Sequence, residues 1–137
     1  MIDPPKVLLE QSFMRAVIEP DHPDHRCAVA GYLSLIGRFE SQEVLLVAVS
    51  DHLKPFRGLA RQGAFTPVDH LWVGFQHRRA ARRSTFPDDE QFALTLVMCD
   101  RHRVRHMATF DPRFEQFQLA VVGAGDPSAA PAAHDEG

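Results

Sequence analysis

Apolar residues in this chain follow two rhythms: short unbroken runs, and recurrences every three or four positions. Val7-Leu8-Leu9, after a Pro-Pro pair and closed by Glu10, is a run of the first kind and predicts a strand buried on both faces. Phe13, Met14, Val17 and Ile18 recur at helical spacing up to Pro20. In the next stretch Pro23 suits a first helical position after a cap at Asp21 or His22. A second helix then runs from Cys27 to Phe39. Val44 to Val49 is the clearest strand, continuous and without a breaker, and it ends in Ser50-Asp51. A helix or loop over 52–62 leads to a short strand at Phe65 to Val68, ended by Asp69. A helix from Trp72 through Phe75 to Arg83 follows, and then a turn.

Gln91 to Arg103 carries a wide apolar face, with acids at its start and basic residues at its end, the order that the helix dipole favours. Val104 to Phe110 predicts a strand, residues 111–117 a short helical turn, and 118–122 a last strand. Strands alternating with helices imply crossover connections and a parallel sheet covered on both faces. The fold class expected is a three-layer α/β/α sandwich with a central parallel sheet. Residues 1–122 form its one domain, and 123–137, rich in Gly, Ala and Pro, read as a disordered tail. No internal repeat is present.

Composition narrows the picture. Of the 137 residues, 45 % are hydrophobic, enough for a real core in one domain. The formal net charge of −3 means that a polyanion must be held by a local patch and not by a global field. Cys27 and Cys99 are too few for a disulfide framework and read as free, buried thiols. No apolar run approaches a membrane span, and a cytoplasmic location is expected.

The candidate chemistry lies in the acids. Four of the five predicted strands end in one: Glu10, Asp51, Asp69 and Asp111. In an open parallel sheet, sites form beyond the carboxyl ends of the strands. Converging carboxylates repel, so they need a cation or shared protons. Mg²⁺ or Mn²⁺ takes such oxygen ligands and can activate water for phosphodiester hydrolysis. Acids at strand ends also cap the helices that follow, which is their blander use.

Three segments resemble the PIN domain, the fold of the toxin ribonucleases of type II toxin–antitoxin pairs. Residues 7–28 are similar to its opening strand, first acid and following helix. Residues 89–114, with Ala-Thr-Phe-Asp-Pro-Arg-Phe at 108–114, resemble its late helix, next strand and Thr-Phe-Asp signature, and 118–122 its closing strand. The resemblance implies a PIN-like fold, a small ribonuclease-type site using Mg²⁺ or Mn²⁺, and a homodimer.

Carried over residue by residue, the first acid becomes Glu10, about one methylene longer than the usual Asp. The second acid is expected at 54–56, where this chain has Lys54, Pro55 and Phe56. The third aligns with Gln91, which brings no charge; Asp89 and Glu90 precede it, and one helical step turns a side chain by roughly 100°. The fourth is kept as Asp111, and a further acid two residues on is replaced by Arg113. Ser12 falls where the family has a hydroxyl supporting the first acid. Glu10, Asp111, Asp51 and Glu90 are therefore the candidate metal ligands, and Glu10, Asp111, Gln91 and Glu90 the candidate catalytic set.

Two basic clusters, 77–83 and 100–106, read as solvated helix faces or as phosphate contacts, with Arg78, Arg79, Arg82, Arg83 and Arg113 the candidates for RNA. His22, His25 and Cys27 lack a fourth zinc ligand. A phosphorylatable receiver domain would need an acidic pair after its first strand and a late lysine, and neither is placed here. Two readings follow. The first in weight is a PIN-like protein of ribonuclease ancestry with an incomplete acidic site, catalytically impaired, acting through RNA or a protein partner, and using no cofactor. The alternative is an active Mg²⁺- or Mn²⁺-dependent endoribonuclease, the toxin of a pair with an antitoxin.

Overall fold

A computed structural model describes residues 4–56, 68–84, 88–117 and 120–123 of the chain. Strand β1 (Lys6–Leu9) passes into helices α1 (Gln11–Ile18) and α2 (His25–Glu40). Strand β2 (Leu45–Val49) and a 3-10 segment (Ser50–Phe56) come next, followed by β3 (Val68–Leu71) and α3 (Phe75–Arg82). Helix α4 (Glu90–Arg101), β4 (His106–Thr109), a second 3-10 segment (Pro112–Phe117) and β5 (Ala120–Gly123) complete the order. The strands lie in the order β3-β2-β1-β4-β5, with every neighbouring pair parallel.

Side chains alternate across the central strands, as a pleated ribbon requires. Val7, Leu9, Leu46, Ala48 and Ala108 belong to an apolar cluster with Phe13 and Met14 of α1 and Ala28, Tyr32 and Leu35 of α2. Leu8, Val47, Val49 and Met107 belong to a second cluster with Ala81 of α3 and Phe92, Leu94 and Met98 of α4. Burial on both faces explains why these strands read as continuous apolar runs. The parallel α/β architecture expected from the sequence is what the chain adopts. No helix among the described residues is long and apolar enough to cross a membrane.

Local boundaries differ in instructive ways. Pro23 is not the first residue of α2: the helix starts at His25 with Asp24 at its cap, and the His22 ring accepts the Asp24 amide at 3.0 Å. Strand β3 begins at Val68, so Asp69 sits within the strand opposite Val47 and does not end it; 65–67 lie outside the described residues. Trp72 precedes α3 and is 71 % exposed, where helical spacing had placed it on a helix. Helix α4 stops at Arg101 because Arg103 takes a left-handed φ of 56°, and β4 occupies only 106–109 of the expected 104–110. Cys99 is buried but Cys27 is only half-buried. Gly123, assigned to the tail by composition, is the last residue of β5; 124–137 lie outside the described residues.

Candidate acidic site at the strand-order reversal

Chain order runs outward from β1 to β2 and β3 on one side, then returns to place β4 and β5 on the other. The reversal between β1 and β4 opens a crevice beyond their carboxyl ends, the usual place for a site in such a sheet. Glu10 follows β1 directly and Asp111 stands two residues beyond β4. Both line a cleft of about 310 Å³, together with Ser12, Asp89, Gln91 and Arg113. That is why a carboxylate stands at the mouth of a buried strand: parallel pairing of Leu9 with Ala108 carries the two chain ends to the same rim.

Glu10 is 7 % exposed, and its Oε1 is held by contacts from both strand tips. The Ser12 amide donates to it at 3.0 Å, the Ser12 hydroxyl donates to it, and the Thr109 hydroxyl donates at 2.6 Å. Glu10 is thereby the cap of α1, and Ser12 is its supporting hydroxyl. Ser12 Oγ also accepts the Phe110 amide at 2.9 Å, and Thr109 Oγ1 accepts the Asp111 amide at 2.9 Å. Two hydroxyls therefore tie the tips of β1 and β4 together. Burial pushes the Glu10 carboxyl above its ordinary value, the hydroxyl and amide donors pull it back, and the nearby Asp111 charge adds a smaller upward push.

The other acids of the cleft are occupied by an arginine. Arg113 Nε lies 3.1 and 3.2 Å from the two Asp111 carboxylate oxygens, and its terminal nitrogens donate to Asp111 Oδ2 at 2.7 Å and Asp89 Oδ2 at 3.0 Å. The guanidinium also lies over the Phe92 ring, 4.1 Å from its centroid. Asp89 caps α4 through the Phe92 amide at 3.1 Å. The Arg113 fork holds the Asp111 carboxyl below the usual range, while the Phe92 amide, followed by Arg113, does the same for Asp89. Arg113 itself is shifted upward, first by Asp111 and then by Asp89.

The remaining sequence candidates divide. Gln91 lines the cleft, and its Oε1 is 2.6 Å from Nε2 of His52, a buried ring. Burial is the main reason that the His52 ring is held below its ordinary value. Glu90, the first residue of α4, is not among the cleft's lining residues, as the one-step rotation predicts. Asp51 is bonded to Arg78 at 2.7 Å and does not line the cleft either. Lys54, at an expected acid position, is exposed; nothing is described of the Pro55 and Phe56 side chains. Arg79, Arg82 and Arg83 are exposed, whereas Arg78 and Arg113 already serve acids and are not free phosphate contacts. His25 has its Nδ1 2.8 Å from the Ala16 carbonyl oxygen.

His52 is the residue that sequence reasoning missed. One signal pointed to it, a histidine directly after the strand-end Asp51, but its partner Gln91 is 39 positions away. Among the described residues no group of three or more His, Cys, Asp or Glu side chains is arranged to hold a metal ion. The residues present do not fit a divalent ion: Asp89 and Asp111 are committed to a guanidinium, and Gln91 is committed to a histidine. Compared with models of known protein families and with curated proteins, the chain matches none.

Proposed function

We propose that this chain is a PIN-like domain of ribonuclease ancestry that binds single-stranded RNA and does not cut it by a metal-dependent route. The observation that carries the reading is the crevice between β1 and β4. The Glu10 carboxyl, held by Ser12 and Thr109, meets Asp111 there, while Gln91 stands where a third acid belongs. Binding is supported by the β3 edge of the same sheet, which β2 separates from the crevice. Trp72, just beyond the carboxyl end of β3, is 71 % exposed and its ring lies 4.8 Å from that of His70; Phe75, at the start of α3, is 72 % exposed. Arg79, Arg82 and Arg83 are exposed on and just after α3. Exposed rings beside arginines offer stacking faces and phosphate partners without reading sequence.

Fluorescence anisotropy with a labelled single-stranded RNA tests this. Binding should weaken with added salt, and Trp72→Ala should weaken it by about tenfold, the loss of one stacked base. Salt-independent binding, or full affinity in Trp72→Ala, refutes the reading. The second reading, an active Mg²⁺- or Mn²⁺-dependent toxin ribonuclease, draws on the convergence of Glu10 and Asp111 in one cleft. The homodimer and the antitoxin or other protein partner belong to the same family likeness, and the cytoplasmic location to the lack of a long apolar run; light scattering on the purified chain reads the first of them.

A further inference from the structure

We infer that Arg113 is the resident cation of the acidic cleft, a tethered guanidinium that takes the place of a divalent ion and keeps one out. The inference rests on the reading of the cleft as a ribonuclease-type acid site, and it adds the reason that the site stands closed. Three features carry it. The guanidinium reaches two acids from separate parts of the chain, Asp111 after β4 and Asp89 at the head of α4, which are bridged by no other described group. Its contact with Asp111 is made through both Nε and a terminal nitrogen, the fork geometry in which arginine matches a carboxylate best. The backbone is set for the same purpose: the Arg113 amide donates to Asp111 Oδ1 at 3.0 Å, so the turn that follows β4 holds the arginine against its acid.

A divalent ion entering this cleft would have to take carboxylate oxygens that the guanidinium already uses, and would meet a fixed positive charge while doing so. The Phe92 ring beneath the guanidinium adds to the cost of swinging it away. Arginine cannot release its charge by losing a proton, so the lock does not open at ordinary pH. Arg113 is accordingly a positioning residue for the acids and not a group that attacks or protonates a ligand.

The test uses the full chain with Mn²⁺ as the probe, read by calorimetry and by thermal melting. The wild type should show no saturable Mn²⁺ binding and no shift in melting temperature. Arg113→Ala should melt lower, regain stability on addition of Mn²⁺, and gain the saturable binding of the ion that the wild type lacks. The double variant Arg113→Ala with Asp111→Asn should lose that binding. Arg113→Lys keeps a positive charge without the fork and should bind the ion more weakly than Arg113→Ala, an outcome that a purely structural role for the arginine would not give. Arg113→Gln, closer in length, serves if the alanine variant misfolds. Equal Mn²⁺ binding by wild type and variant overturns the inference, and so does the absence of a response in both Arg113→Ala and Arg113→Gln. The RNA experiment with Trp72→Ala uses neither Mn²⁺ nor Arg113, so the two ideas fail separately.

Discussion

Thr109→Val is the sharpest probe of how the cleft is built. The threonine side chain is fully buried, and valine matches its shape while removing the hydroxyl. Three interactions go with it: the 2.6 Å bond donated to Glu10 Oε1, the 2.9 Å bond accepted from the Asp111 amide, and the 3.2 Å contact with the Ser12 hydroxyl. A hydrogen bond to a charged acceptor is worth about 1.5–3 kcal/mol, and an orphaned amide adds to the loss, so the total is about 2–4 kcal/mol. For a domain of this size that lowers the melting temperature by about 10 °C near neutral pH. Circular dichroism melts at several pH values supply the assay. The Thr109 bond favours the charged form of Glu10, so the deficit should be largest where Glu10 is ionised and shrink as it takes up a proton. Thr109→Ser, which keeps the hydroxyl, should retain most of the stability. A deficit of a degree or less, or one of equal size at acid and neutral pH, would refute the idea that Thr109 stabilises the Glu10 carboxylate.

Glu10→Gln should change stability little in acid and raise it increasingly toward neutral pH. The folded state holds the Glu10 proton more tightly than the unfolded chain does, so this carboxyl's contribution is complete below the unfolded value and is lost as pH rises through the folded one. A variant that grows less stable with rising pH, compared with wild type in melts, contradicts the assignment. Gln91→Glu places a carboxylate against His52 and should raise the pKa of that ring, read by NMR titration of its ring protons. An unmoved His52 would mean that the two side chains do not meet in solution.

Much of the fold could be read because the central strands are buried on both faces and so are written as plain apolar runs. Val44 to Val49 and Val7 to Leu9 fall within a residue of the strands they form. Where burial is one-sided or weak, the pattern misled. The spacing of Trp72 and Phe75 imitates the inner face of a helix, yet both rings are exposed, and Asp69 alternates outward within a strand when it was expected to close one. The strand expected at 65–68 meets the described residues only at Val68, the first residue of β3.

The acid pair was legible because it depends only on strand order: two neighbours in a parallel sheet bring their ends together. The partners of the other site residues were not. Arg113 reads in sequence as a lost acid, and its service to Asp89 crosses 24 positions, so it becomes visible only when α4 is packed beside the turn after β4. The pairings of Asp51 with Arg78 and of His52 with Gln91 are equally non-local. Side-chain partners of this kind are set by packing, on which hydrophobic period is silent.

The central claim is that this domain binds RNA and does not cut it, and a cleavage assay addresses it directly. Wild-type protein and Asp111→Asn are incubated with an end-labelled single-stranded RNA, with Mg²⁺ and then with Mn²⁺, under conditions where anisotropy shows the RNA bound. The account predicts bound, full-length RNA in every lane. RNA cut by the wild type with either ion, and left whole by Asp111→Asn, would contradict it and establish the cleft as a working metal-dependent nuclease.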